Sequence, residues 1–484
     1  MNIKKNKRDN STPRTPLVVD LDGTLIKTDL LLEGIIQYIK SYPFQVYRIF
    51  WWLFKGGIKK LKHDLFKHVN IDVSTLPYNK AVLEYLKKNR GRKVILATGS
   101  IKMIAEQIAE SLSLFDDVFS SNKKLNLTGK NKRDFLISKY GEKGFDYVGN
   151  SIADLPVWHA ANRSYAVNLP LLSSNKITSE IQFEKILSKK NIRIQTILKA
   201  IRIHQWLKNI LILVPLFAAH KYHDIGIVFD GVVAFLSFSF CASSVYILND
   251  LFDLPSDRRH RQKRNRPFAS GDLDIIHGIC TFIFFILLSF SIGLTYLNDN
   301  YVLGLSFYFT LTLYYSLKLK SLLIIDIITL ASLYTIRLFV GSLAMEIELS
   351  FWMLLFSIFF FLSLALLKRY SELFHLKFSE KNDIVKGRAY LKNDFLMLGS
   401  LGASSGYLSV LVLGLYIDDL KSAYLYNNGE FLWFLVPLML AWISRVWLLA
   451  NRGLVDEDPV QFASRDTYSI LNAFLLILIV FIAR

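Results

Sequence analysis

Cysteine is nearly missing from this chain: the 484 residues hold two, Cys241 and Cys280, each inside an apolar run. That excludes a disulfide scaffold and a cysteine-rich zinc module. The opening stretch, MNIKKNKRDNSTPRTP, lacks an apolar core segment and so does not read as a cleaved signal peptide. Acidic residues are short as well, 40 against 58 Lys and Arg, which leaves a formal charge of +18. Polar residues are too few for an ordinary soluble enzyme, since 52% of the chain is hydrophobic. The 20% of charged residues is in turn too many for a chain that is membrane throughout. The composition therefore predicts a soluble part joined to a membrane part.

The pattern along the chain divides accordingly. After a basic tail (1–16), residues 17–170 alternate short β-branched runs at 17–19, 94–96, 147–148 and 165–167 with longer helical patterns. This predicts an α/β domain around a parallel sheet. Residues 171–196 are polar and charged, and read as a linker or an amphipathic helix. From 197 to 484 nine apolar runs follow, at 205–219, 225–248, 275–297, 301–317, 321–344, 349–367, 395–417, 431–450 and 468–483. Their lengths suit helices crossing a hydrocarbon layer of about 30 Å. If the first domain is inside, the inside loops carry seventeen Lys and Arg and the outside loops two. This asymmetry predicts a multi-pass protein of an inner or plasma membrane with residues 1–196 in the cytoplasm. It also accounts for most of the positive charge without nucleic acid, for which no module is present.

The first strand runs into Asp20-Leu21-Asp22-Gly23-Thr24, two carboxylates at i and i+2 at a strand's carboxyl end, where open α/β sheets place their sites. One carboxylate can attack phosphorus while both help to hold a divalent cation. Thr98 follows a second strand, Lys132 lies at the start of a helical pattern, and a further strand ends in Gly149-Asn150-Ser151-Ile152-Ala153-Asp154. In this order the pieces resemble the four motifs of the haloacid dehalogenase (HAD) superfamily, in its phosphoserine-phosphatase-like branch. The resemblance implies a Rossmann-like fold with a helical cap at about 30–80 and Asp20 as the nucleophile that becomes an aspartyl-phosphate. Asp22 would be the general acid and base, and Thr98 and Lys132 would bind phosphoryl oxygens. Mg²⁺ would be held by Asp20, Asp22, Asn150 and Asp154. Asn150 stands where the family often has an acid and would offer a carbonyl oxygen.

The second apolar run ends in Asn249-Asp250-Leu251-Phe252-Asp253-Leu254-Pro255-Ser256-Asp257. On a helix, acids at i, i+3 and i+7 share one face, and three like charges there call for a cation. Hard oxygen ligands suit Mg²⁺ shared with a diphosphate. A basic run that includes Lys263 and Arg266 follows, and can neutralise a polyanion. NDxxDxxxD with a downstream RP…SG segment resembles the UbiA superfamily of intramembrane prenyltransferases. By that resemblance Asn249, Asp250, Asp253 and Asp257 bind Mg²⁺ and a diphosphate whose departure leaves an electrophilic carbon.

A second DxxxD motif, usual in the aromatic prenyltransferases, does not occur in 368–394; Lys368-Arg369 opens that loop instead, and Lys320 lies in an earlier one. Asp326 and Arg337, eleven residues apart, fall on one face of a span, where ionisable groups are costly and usually functional. Cations in place of the second acid motif suit a lipid phosphate acceptor. The pattern, including 387–390 and the loop around Asp458, resembles the polyprenyl-phosphate phosphoribosyltransferase branch. This implies transfer from phosphoribosyl diphosphate to a polyprenyl phosphate, with Lys263, Arg266, Lys320, Asp326, Arg337, Lys368 and Arg369 as substrate-binding candidates. Two alternatives stay open at this point: a prenyltransferase acting on an aromatic or other acceptor, and a membrane scaffold with an inactive HAD domain.

Overall fold

A computed structural model describes residues 15–122, 125–170, 173–189, 193–377, 389–418, 426–455 and 458–484. The described residues form two compact units. One comprises the chain up to Ile201 together with Tyr246–Phe282; the other comprises Arg202–Val245 and Ile283–Arg484. The segment 246–282, assigned from the sequence to the membrane part, thus packs with the N-terminal unit.

The first unit is built on a six-stranded sheet in the order β3-β2-β1-β4-β5-β6, with every pairing parallel. The strands are β1 (Leu17–Val19), β2 (Val94–Ile101), β3 (Asp117–Ser121), β4 (Asp146–Gly149), β5 (Ser164–Val167) and β6 (Lys185–Ser188). β1 is buried on both faces: Leu17 and Val19 join one hydrophobic core and Val18 the other. This explains its uninterrupted apolar reading. Val19 pairs with Leu96 and with Val148, so the ends of β1, β2 and β4 lie side by side. The expected linker at 171–196 differs, because Lys185–Ser188 is the sixth strand, paired with β5. Its lysine-bearing edge position hid the strand signal. The helices are α1 (Leu30–Ser41), α2 (Tyr47–Leu65), α3 (Lys80–Lys88), α4 (Lys102–Leu112), α5 (Gly129–Tyr140), α6 (Leu155–Ala160), α7 (Ser174–Glu180) and α8 (Ile194–Ala200). Asp29 caps α1, its carboxylate accepting from Leu32 N at 3.0 Å.

The helices that follow are α9 (Val214–Ala218, after a 3₁₀ stretch Ile203–Leu213), α10 (Ile225–Phe252), α11 (Leu254–Arg259), α12 (Ile275–Tyr296), α13 (Asp299–Leu317), α14 (Ile325–Met345), α15 (Phe351–Lys377), α16 (Phe395–Asp418), α17 (Leu435–Asn451), α18 (Pro459–Ala463) and α19 (Thr467–Ala483). Among the described residues, six helical segments are long and apolar enough to cross a membrane: α10, α12, α14, α15, α16 and the stretch containing α17. The expected spans at 205–219, 301–317 and 468–483 also fall on helices, but on ones that do not reach that length and apolarity. Two helices of the second unit exchange side-chain bonds: the Ser237 hydroxyl donates to Ser289 O at 2.8 Å, and the Ser289 hydroxyl returns a bond to Ser237 O at 2.6 Å. Gly341 of α14 is held to glycine by close approach, because a Cβ there would lie 2.1 Å from Ile212 O.

Candidate functional sites

At the carboxyl ends of β1, β2 and β4 the structure gathers the residues expected from the four N-terminal motifs. Asp20 is buried; its Oδ1 accepts from Lys132 Nζ at 2.6 Å and its Oδ2 from the Thr24 hydroxyl at 3.3 Å. That hydroxyl lies 3.2 Å from Asn150 Oδ1, so one donor is shared by two oxygens. Gly23, with φ +75°, leaves room for this approach, since a Cβ would lie 2.1 Å from Asn150 Nδ2. Asp22 takes different partners: Oδ1 accepts from Leu30 N at 3.0 Å, the first residue of α1, and Oδ2 from the Ser100 hydroxyl at 2.8 Å. Thr98 is fully buried and its hydroxyl accepts from Ser100 N at 3.0 Å. Asp154 shapes the loop after β4. Its Oδ2 accepts from the amides of Asn150 and Ser151, both at 3.0 Å, and its Oδ1 from the Tyr147 hydroxyl at 2.6 Å.

The electrostatics separate the two carboxylates of the first motif. Burial pushes Asp20 above the ordinary carboxylate range, although Lys132 pulls it back. Asp22 is pushed up to about 7, by burial first and then by the nearby Asp29. Burial works against the charge on Lys132, yet Asp20 and Asp154 outweigh it and raise its pKa. The result is a buried carboxylate beside a fixed cation, with a second carboxyl raised to about 7.

The acid motif after α10 lies in the same unit. Sequence spacing predicts one continuous helix; the structure breaks it at Asp253, between the end of α10 at Phe252 and the start of α11 at Leu254, with Pro255 in the first turn. The turn still follows helical bonding, Asp253 N to Asn249 O at 2.9 Å and Asp257 N to Asp253 O at 2.8 Å. Asp250 and Asp257 therefore converge, and one guanidinium nitrogen of Arg266 bridges them, 3.1 Å from Asp250 Oδ1 and 2.7 Å from Asp257 Oδ2. Asp257 is pushed up to about 6 by burial, against the pull of Arg266. Asp253 accepts from Lys40 Nζ at 2.8 Å, a lysine at the end of α1 that also donates to Phe252 O. Arg258 lies in a bidentate, fully buried ion pair with Glu33 of α1, at 2.7 and 3.0 Å. Lys263 is half-buried in the short turn 263–265. Lys40 and Glu33 are residues that spacing could not single out, because their partners lie more than 200 positions away.

The remaining candidates belong to the second unit. Asp326 is fully buried, and it meets a cation of another helix. Arg369 grips it through Nε and a terminal nitrogen at 2.5 and 3.0 Å, and the Tyr315 hydroxyl donates to it at 2.8 Å. Arg369 also bonds Glu372 at 2.7 Å, so its fork is committed to protein oxygens. Arg337 instead donates to Asn209 Oδ1 at 3.0 Å and stands among the rings of Phe238, Tyr308 and Tyr334. Asp326 and Arg337, expected on one helix face, each take a partner from elsewhere in the unit. Asp458 forms an ion pair with Lys208. Burial raises the Asp458 pKa, but Lys208 and then Lys368 more than reverse this, to about 2. Lys208 and Asn209 were not legible from the sequence. Lys320 lies in the turn 319–321, and 387–388 fall outside the described residues.

Among the described residues no three His, Cys, Asp or Glu side chains gather as a metal cluster. The donor sets nevertheless suit a hard cation: Asp250 and Asp257 already converge on one cationic nitrogen, and Asp20 and Asn150 on one hydroxyl.

Two kinds of structure are thus joined in one chain, a parallel α/β sheet with a buried carboxylate-and-lysine site and a set of apolar helices long enough to cross a membrane. The UbiA prenyltransferase family profile matches residues 210–470, and the chain belongs to that family. It is 34% identical over 462 residues to an uncharacterized protein, y4nM, of Sinorhizobium fredii, spanning 94% of this chain and 88% of that one. It is 31% identical over 283 residues to the decaprenyl-phosphate phosphoribosyltransferase of Mycobacterium tuberculosis, spanning 56% of this chain and 88% of that one. Over the N-terminal region, solved folds similar to it include a substrate-bound phosphoserine phosphatase complex, at 15% identity and a TM-score of 0.26, covering 39% of this chain and 98% of that chain.

Proposed function

We propose that this integral membrane protein transfers the phosphoribosyl group of phosphoribosyl diphosphate to a polyprenyl phosphate, and that its HAD-like domain then removes the 5-phosphate from the product. The observation that carries the transferase reading is the convergence of Asp250 and Asp257 on Arg266. It pairs a carboxylate set fit for Mg²⁺ with a cation fit for a diphosphate. Asn249 and Asp253 would complete the set. Mg²⁺ bound there would supply charge stabilisation for the leaving diphosphate. Arg266 and Lys263 would bind that diphosphate. In the step itself a phosphate oxygen of the lipid attacks ribose C1, the bond from C1 to the diphosphate oxygen breaks, and its electron pair leaves with the diphosphate. Lys368 and Lys320 are assigned to the lipid phosphate. Arg369, Asp326 and Arg337 are assigned to positioning. Favouring this acceptor is Lys368, in the loop where aromatic prenyltransferases carry acids, together with the similarity to the mycobacterial enzyme.

In the second reaction Asp20 Oδ attacks phosphorus while Asp22 protonates the departing ester oxygen. Asp22 then takes a proton from the water that hydrolyses the aspartyl-phosphate. Lys132 balances the nucleophile's charge, and Thr98 holds the loop to which Ser100 and Asp22 are bonded. Residues 1–196 lie on the cytoplasmic side in this reading, and nine helices span the membrane.

The test offers the purified protein Mg²⁺ with ribose-labelled phosphoribosyl diphosphate and polyprenyl phosphate, or with prenyl-labelled polyprenyl diphosphate and an aromatic acid. Label from ribose entering the lipid fraction supports the proposal. Prenyl transfer, or no turnover with either pair, refutes it.

A further inference from the structure

We propose that the first half of α2 docks in the interfacial layer of an anionic bilayer, so that the HAD-like site borders a lipid surface. Tyr47, Phe50, Trp51 and Phe54 recur at i, i+3, i+4 and i+7 and form one stripe of the helix. All four are exposed, Phe54 to 88% and Phe50 to 69%. A second stripe, Ile49 and Trp52, is buried in the core beneath. The helix thus has two apolar faces, and the fold uses one. Single exposed apolar residues are ordinary, whereas a contiguous aromatic stripe marks an interaction surface. A groove of ≈ 650 Å³ runs along it, lined by Tyr47, Phe50, Trp51, Leu53 and Phe54.

Charge selects the occupant. Residues 44–67 hold six Lys and Arg and a single acid, Asp64. Lys55 stands 4.4 Å over the Trp51 ring, and the helix breaks at Gly56–Gly57 before the next lysines. A second copy of this chain would bring the same cations against themselves. An anionic lipid surface neutralises them while accepting the aromatic rings, and the spans of this chain keep a membrane within reach. The consequence follows from the other end of α2, where Lys62 Nζ donates to Gly99 O at 2.7 Å, next to Thr98. A docked α2 therefore places the loop of the HAD-like site beside lipid headgroups, where a phosphomonoester carried on a lipid would be met. That consequence rests on the phosphatase reading; the docking does not.

The experiment uses the full chain with Cys280→Ser, which leaves the buried Cys241. Phe54→Cys, or Phe50→Cys as a second variant, carries a nitroxide, as does Lys87→Cys at an exposed position of α3. The protein is held in nanodiscs of phosphatidylcholine with a quarter phosphatidylglycerol. Docking predicts that the nitroxide at position 54 collides with oxygen several-fold more than with a water-soluble nickel chelate, and that the order reverses at position 87. Equal chelate access at both positions overturns the proposal. So does dipolar broadening at position 54 that disappears on dilution with unlabelled protein, since a second copy would then cover the stripe. Neither readout depends on phosphatase turnover, so failure of the docking is separable from failure of the phosphatase reading.

Discussion

In the proposed reaction Arg266 has two roles with opposite consequences, and Arg266→Gln separates them. In the protein alone its guanidinium lies within 3.1 Å of both Asp250 and Asp257, two almost fully buried carboxylates. There it competes with any cation for the same oxygens. Its removal leaves two buried like charges to be neutralised, so Mg²⁺ binding in the absence of substrate should tighten. With the diphosphate substrate present, the same change removes a charge-assisted contact worth about 1.5–3 kcal/mol. At about 1.4 kcal/mol per factor of ten, kcat/KM should fall roughly 10- to 150-fold. Arg266 also holds down the pKa of Asp257, which stands at about 6 with the guanidinium in place and rises without it. Assays at pH 8 keep that carboxylate ionised in the wild type. Direct metal titration, with Mn²⁺ read by electron paramagnetic resonance, is paired with initial rates on phosphoribosyl diphosphate. If metal affinity and substrate affinity fall together, Arg266 is only scaffolding and the assignment is wrong.

Other outcomes follow from the same geometry. Lys40→Met frees Asp253 from an ion pair that is about one-third exposed, worth roughly 0.2–1 kcal/mol; the Mg²⁺ concentration for half-maximal transfer should drop by up to about fivefold, and an unchanged value would remove Lys40 from the site. Glu33→Ala and Arg258→Ala each break a buried pair and should each cost about 3–5 kcal/mol, with the double variant losing clearly less than the sum; additive losses in chemical unfolding would contradict the pairing. Asp22, raised to about 7 by burial, is protonated below that pH and ionised above it. Formation of the aspartyl-phosphate from an ester with a poor leaving group should therefore decline as pH rises through about 7, and Asp22→Asn should abolish that limb. Lys368→Ala should raise the lipid phosphate concentration needed without unfolding the protein. Arg369→Ala, which strands a buried Asp326, should instead lower thermal stability.

What the sequence made legible was local. Asp20-Leu21-Asp22 after an apolar run, Lys132 at a helix start and the acids of 249–257 announce themselves by spacing, and the structure places them after β1, at the start of α5, and from the end of α10 into α11. Partners distant in sequence do not announce themselves. Lys40 on Asp253, Glu33 on Arg258 and Arg369 on Asp326 are pairings across 213, 225 and 43 positions, fixed by packing rather than by periodicity. The helix break at Asp253 could have been anticipated from Pro255, which spacing of the acids alone ignores. The strand at Lys185–Ser188 was hidden because half of it is exposed and it forms the edge of the sheet. The aromatic stripe of α2 is visible in Tyr47-Arg48-Ile49-Phe50-Trp51-Trp52-Leu53-Phe54, but only burial distinguishes the face that packs from the face that does not.

The measurement that bears most directly on the account is mass spectrometry of lipids extracted after turnover, with Mg²⁺, phosphoribosyl diphosphate and polyprenyl phosphate, by wild type, Asp20→Asn and Asp250→Asn. The account predicts lipid-linked ribose and inorganic phosphate from the wild type, lipid-linked ribose 5-phosphate accumulating with Asp20→Asn, and neither lipid with Asp250→Asn. Wild type and Asp20→Asn yielding the same lipid at the same rate would contradict the coupled second step, and ribose-bearing lipid from Asp250→Asn at the wild-type rate would contradict the transfer site itself.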